Sequence, residues 1–145
     1  MENYHKKLIA ITGLLSGGLA FLSLILPFVN IFALFGEVTG FEFWRQASIF
    51  GPTPYFFGVI ILFIGIITTL LRLNSRTSNY NSIQWLYVLG GLLIIVGDIF
   101  THLSLMGGYL YFCSLLLGWK ISVIAGLLAL IIGFTIMFLN VKSKN

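Results

Sequence analysis

Four long runs of apolar residues, each bounded by basic or polar residues, divide the chain. The first covers about residues 8–27, follows His5-Lys6-Lys7 and holds no charged residue. The others cover about 54–71, 83–103 and 121–141. About 20 residues of α-helix, rising 1.5 Å each, cross the roughly 30 Å hydrocarbon core of a bilayer. A lone segment in that core satisfies its own backbone groups only as a helix. The pattern therefore predicts an all-α membrane protein, a four-transmembrane-helix bundle forming one membrane domain over residues 1–145. The first run also has the basic start and apolar centre of a cleavable leader, with Gly18-Leu19-Ala20 as the cleavage site. Its apolar character continues through Phe21-Leu22-Ser23-Leu24-Ile25-Leu26, which fits a retained helix.

The intervening segments are 28–53, 72–82 and 104–120. After Pro27 the texture changes. Val29 to Leu34 and Phe41 to Trp44 are rich in β-branched and aromatic residues, with Gly36, Glu37, Thr39 and Gly40 between them. Two readings follow: a short β-hairpin in the first outer loop, or a tilted first helix continuing to Phe35. Pro54 suits the first turn of the second helix, where its missing N–H is not needed. Segment 104–118 is apolar but short for a fifth span. It reads as interfacial or re-entrant, or as an extension of helices 3 and 4 around Gly107-Gly108.

Composition supports the membrane reading. The chain is 59% hydrophobic and 8% charged, against about 25% charged in ordinary soluble proteins. A soluble chain of this size has no core large enough to hide that apolar surface. The net charge of +4 does not form a nucleic-acid patch, because the basic residues sit in small groups at the ends of the apolar runs. Lys6, Lys7, Arg72, Arg76, Lys142 and Lys144 fall on one side of a four-span arrangement, and Arg45 and Lys120 on the other. The positive-inside bias then places both termini and the 72–82 linker in the cytoplasm of a multi-pass cell-membrane protein, N-in/C-in.

Candidate chemistry is sparse. A single cysteine, Cys113, excludes an internal disulfide and a cysteine metal cluster. No CxxC, HExxH or phosphate-loop motif occurs, and no cofactor is expected. Asp98 and His102, four residues apart on one helical face, form an intramembrane polar pair in the outer third of helix 3. Ionisable groups at depth mark ion paths, proton relays or buried pairs. The candidate readings are a structural contact with Arg45 or Lys120, a proton or ion role, and a ligand offered to another subunit. Two residues are too few for a metal site.

Small residues recur at helix-packing intervals: Gly13 and Gly17, Gly58 and Gly65, Gly90 and Gly97, Gly126 and Gly133, and Ala125, Ala129 and Gly133. They permit close backbone approach, within the bundle or against a partner. The outer segments are aromatic, with Phe32, Phe35, Phe41, Phe43 and Trp44 in one and Tyr109 and Tyr111 in the other. Apolar patches of that kind either cover each other or dock a partner.

Leu26-Pro27-Phe28 at the end of the first helix, followed by Gly36 and Thr39-Gly40-Phe41, resembles a broad group of small prokaryotic four-helix membrane proteins of unknown function. The layout is also similar to the claudin-like superfamily, which has four spans and a β-containing first outer loop. The claudin loop carries a Gly-Leu-Trp motif and two cysteines. Here Glu42-Phe43-Trp44-Arg45 is the nearest match and the loop has no cysteine, so the resemblance implies topology and no barrier or adhesion function.

The expected function is that of a non-enzymatic small integral membrane protein, a structural or accessory subunit of a larger membrane assembly. Its partners would be the bilayer and other membrane subunits or a second copy, without nucleic acid. The alternative is a small ion, proton or solute transporter or channel using Asp98 and His102, with Ser16, Ser23, Thr68, Thr69 and Thr135 as the few further polar residues along its path. An enzyme needs convergent titratable groups, and only Asp98 and His102 are candidates.

Overall fold

Each apolar run is an α-helix that outlasts its hydrophobic stretch on at least one side. The computed structural model describes residues 2–31, 36–39, 41–42, 53–73, 81–108, 113–115 and 117–142. In order, its elements are α1 (Glu2–Ile25), β1 (Pro27–Ile31), β2 (Gly36–Thr39), α2 (Thr53–Leu73), α3 (Asn81–Gly108), β3 (Cys113–Leu115) and α4 (Leu117–Lys142).

The boundaries have local causes. α1 begins at Glu2, well before the apolar run, because helix propensity needs no apolar side chain and Glu2 to Lys7 contains no breaker. It stops at Ile25, short of residue 27, because a proline disfavours helical backbone in the residue before it; the last bond runs from Leu26 N to Leu22 O at 2.9 Å. Pro54 falls within the first turn of α2. Arg72, in the last turn of α2, places its guanidinium 3.2 Å from Ser82 Oγ at the start of α3. α3 does not end at Leu103 but continues to Gly108.

Four stretches are long and apolar enough to cross a membrane: Tyr4–Ile25, Thr53–Arg72, Ser82–Leu103 and Leu117–Asn140. Burial follows the membrane pattern as well. Ser16, Ser23, Thr69, Gln84, Asp98, Thr101 and Ser122 are inside, while Phe21, Phe63, Ile67, Leu92, Phe100, Ile131, Phe134 and Phe138 lie on the outer faces. In water this arrangement is costly. In lipid it is the stable one, because acyl chains solvate leucine and phenylalanine well and offer nothing to a hydroxyl or carboxyl.

The helices form a ring in which α2 packs on α3, α3 on α4, and α4 on α1, with a thinner seam between α1 and α2. Glycines set the close approaches. A Cβ added to Gly58 would lie 2.7 Å from Ile94 N and 2.8 Å from Gly90 O. One on Gly91 would lie 2.8 Å from Gly126 O, and one on Gly133 3.0 Å from Val88 N. Between these seams the centre is filled by Tyr55, Leu62, Ile83, Tyr87, Ile94 and Ile136, with Ala125 and Ala129 fully buried beside them.

A three-stranded antiparallel sheet, ordered β2-β1-β3, lies at the end of the bundle where α1 and α3 finish and α2 and α4 begin. Val29 pairs with Val38 and Ile31 with Gly36 on one side of β1; Val29 pairs with Leu115 and Ile31 with Cys113 on the other. The ladder is irregular between Pro27 and Val29. Pro27 occupies the first position of its strand, where the missing N–H costs least. The chain is thus extended, not helical, over Pro27–Ile31, and residues 32–35 lie outside the described residues. The third strand was not expected from segment 104–118. Just beyond β2, Thr39 and Glu42 form a reciprocal cap. Glu42 Oε2 accepts from Thr39 N and Thr39 Oγ1, both at 3.1 Å, and Glu42 N donates to Thr39 Oγ1 at 3.3 Å.

Candidate functional site

Asp98 lies toward the end of the bundle that carries the sheet, ten residues before α3 ends at Gly108. Its position follows from Gly97. A Cβ at Gly97 would lie 2.6 Å from Tyr55 Cβ and 2.7 Å from Tyr55 Cα, so α3 and α2 touch backbone to backbone there. The next residue on α3 is turned toward α4. Asp98 is 1% exposed, and its Oδ2 accepts a hydrogen bond from Ser122 Oγ on α4. Ser122 Oγ also lies 3.1 Å from the carbonyl oxygen of Trp119. The Trp119 indole N–H donates to the carbonyl oxygen of Asp98 at 3.2 Å. α3 and α4 are therefore joined here by side chain and backbone together.

Two buried oxygens near this junction remain uncommitted. Asp98 Oδ1 and Thr101 Oγ1 have no hydrogen-bond partner among the described residues. Thr101 is fully buried and three residues beyond Asp98, on the same helical face. Its hydroxyl behaves differently from those of other helical threonines. Thr12, Thr68, Thr69 and Thr135 each donate to the carbonyl four residues back, at 2.7–2.8 Å.

The expected intramembrane pair does not form. No hydrogen bond or ion pair joins Asp98 to His102 among the described residues. The histidine ring instead packs on Trp119, with centroids 5.9 Å apart and planes inclined by 35°. Spacing brings His102 to the right face but points its ring past the carboxylate toward α4. Lys120, one of the two cations considered for Asp98, is exposed; Arg45, the other, lies outside the described residues. The carboxyl group is inside the bundle, not at its wet rim.

Other polar groups pair at successive levels. Tyr55 Oη and Ser23 Oγ are 2.6 Å apart, and Ser23 Oγ also donates to Ala20 O at 2.6 Å. Ser16 Oγ donates to Ala125 O at 2.9 Å, tying α1 to α4. Tyr87 Oη and Thr69 Oγ1 are 3.1 Å apart between α3 and α2. Near the opposite end Asn140 Nδ2 donates to Gln84 Oε1 at 3.0 Å.

The small residues singled out in the sequence lie against neighbours within the chain. Gly13 faces Tyr87, Gly17 faces Ile66, Gly65 faces Leu86, and Gly90 faces Leu62 and Gly58. Gly18, by contrast, has open space before it. Of the aromatic loop residues, Phe41 is described: it is half-exposed, its ring centroid 6.3 Å from that of Phe56. Phe32, Phe35, Phe43, Trp44, Tyr109 and Tyr111 lie outside the described residues. Sequence reasoning missed Thr101, Ser122, Trp119 and Tyr55 as the surroundings of Asp98. Only Thr101 carried a local signal, its spacing of three. No group of three or more His, Cys, Asp or Glu side chains suited to a metal occurs among the described residues. No protein-family model matches the chain, and a search of curated proteins finds no match.

Proposed function

We propose that the chain is a non-enzymatic structural or accessory subunit of a larger membrane assembly, multi-pass in the cell membrane with both termini cytoplasmic. The observation carrying this reading is the tightness of the glycine seams. At Gly58, Gly90, Gly91 and Gly97 the packing leaves no room for even a methyl group without displacing a neighbour. Carriers that alternate their access rock one helical unit against another. Seams closed backbone to backbone resist such rocking and suit a rigid scaffold. Its partners would be other membrane subunits or a second copy of the chain. Purified in mild detergent and weighed by native mass measurement, the protein is expected in a complex larger than one chain. A lone monomer retaining full function would overturn the proposal.

Orientation has its own test. Cysteines placed at Ser78 and at Gln46, each in a Cys113→Ser background, are expected to react with an impermeant reagent from opposite sides, Ser78→Cys from the cytoplasm. The reverse pattern would invert the topology, and labelling from the same side would change the span count between the two positions.

A second reading, ion or proton passage through Asp98, draws support from one observation: a fully buried carboxyl oxygen without a hydrogen-bond partner among the described residues. In this reading Asp98→Asn abolishes flux in reconstituted vesicles. Flux equal to that of the wild type would remove it.

A further inference from the structure

The bundle end opposite the sheet, where α1 and α3 begin and α2 and α4 finish, carries most of the described basic residues. Lys6 and Lys7 lie near the start of α1, Arg72 in the last turn of α2, and Lys142 ends α4. Glu2 is the one acidic residue at that end among the described residues. The sheet end differs, with Glu37, Glu42 and Lys120 as its exposed charges among the described residues. One face of the basic end combines charge with a defined depth. The second apolar stretch stops at Arg72 and the third starts at Ser82, so both residues stand at the boundary of the hydrocarbon. Their side chains meet there, Arg72 donating to Ser82 Oγ at 3.2 Å. Trp85 follows three residues later, on the same face of α3 and about one turn deeper. It is 53% exposed, and its indole N–H has no hydrogen-bond partner among the described residues. Leu89, Leu92 and Val96 continue that face toward the middle of the bundle, each on the exterior.

We propose that this face of α2 and α3 binds the headgroup of an anionic phospholipid, its phosphate against Arg72, Ser82 and Trp85. A guanidinium meets two phosphate oxygens at once through its planar fork. Ser82 Oγ accepts from Arg72 and keeps its own hydrogen for donation to a further oxygen. A tryptophan at headgroup depth sets its ring among the acyl and glycerol carbons and its N–H among the polar groups. Below it Leu89, Leu92 and Val96 offer an acyl chain a continuous apolar strip. Lys6, Lys7 and Lys142 add a positive field, which selects a headgroup of net negative charge over a zwitterionic one. A soluble acidic protein would meet the same charge but would not reach Trp85 and the aliphatic strip below it. The inference goes beyond the subunit reading, does not rest on it, and holds for either orientation of the chain.

Native mass measurement of the full chain tests it, the protein being released from nanodiscs of equal parts phosphatidylcholine and phosphatidylglycerol with matched acyl chains. The wild type is expected to retain phosphatidylglycerol in excess over phosphatidylcholine. Arg72→Gln should cut that excess about fivefold, the contribution of one basic residue at an anionic surface. Arg72→Lys, which keeps the charge, should keep most of it. Ser82→Ala removes a donor and leaves every charge in place; it should lower the excess by less, and it supplies the reading should Arg72→Gln disturb the fold. Lys120→Gln, at the sheet end, should leave the excess unchanged. Equal retention of the two lipids by the wild type overturns the proposal, as does an excess that survives both Arg72→Gln and Ser82→Ala. A loss as large in Arg72→Lys as in Arg72→Gln would assign the arginine to holding α2 on α3, and overturns it too. So does a loss as large in Lys120→Gln, which would mark a response to net charge alone.

Discussion

Gly97→Ala is expected to destabilise the bundle by roughly 1–3 kcal/mol or more, the cost of overpacking a close-packed interior. Gly18→Ala is expected to be neutral or slightly stabilising. Both are single methyl additions to helical glycines in apolar stretches, and alanine has the better helix propensity by about 1 kcal/mol. Surroundings decide the sign. The added Cβ at Gly97 meets the Tyr55 backbone and Cβ at 2.6–2.7 Å, and backbone does not turn aside as a flexible side chain does; at Gly18 nothing stands within 4 Å. Thermal unfolding in one detergent, with both variants beside the wild type, makes the comparison. Equal melting temperatures for the two variants would show that α2 and α3 are not in backbone contact at Gly97.

Tyr87→Ala is expected to cost about 3–5 kcal/mol, as for other large aromatic truncations in a packed interior. The side chain is fully buried, faces Gly13 across the bundle and reaches Thr69 on α2. Tyr87→Phe should cost far less, about 1 kcal/mol, because Thr69 keeps its bond to Gly65 O at 2.8 Å. The pair with Gly13 sharpens the test. A methyl at Gly13 would strike the Tyr87 hydroxyl, while the ring carbon behind it stands 3.1 Å away. Gly13→Ala should therefore be strongly destabilising alone and much milder in a Tyr87→Phe background. A double-mutant cycle by thermal unfolding reads the coupling. Strict additivity would mean that α1 does not meet α3 at this level.

These glycines show what the sequence made legible. Four apolar runs mark four helices because crossing a bilayer demands a minimum apolar length, a property of each segment alone. Spacings such as Gly58 and Gly65 mark a helix face suited to close approach for the same reason. Which face meets which is not local. Gly97 against Tyr55 and Gly91 against Gly126 depend on the rotation of two helices about their axes, and nothing in either segment encodes the partner. The site divides in the same way. Asp98 stood out as a carboxylate in an apolar run. Ser122, its actual partner, lies on another helix and looked like one more small polar residue at the start of α4. His102 was paired with Asp98 by spacing, but spacing does not include the Trp119 ring, which offers the imidazole an apolar face. β3 was hidden because a three-residue strand carries too little pattern to be read without the β1 edge it joins.

The sheet also sets an order on biosynthesis. β1 leaves the end of α1 early in the chain, yet one of its two neighbours, β3, is made only shortly before α4. Until then Val29, Asn30 and Ile31 have one edge without its native partner while three helices are already made. A chain halted before Cys113 would therefore carry a nascent sheet edge beside a three-helix bundle that lacks the α4 side of its core. Addition of the third strand thus coincides with closure of the helical ring.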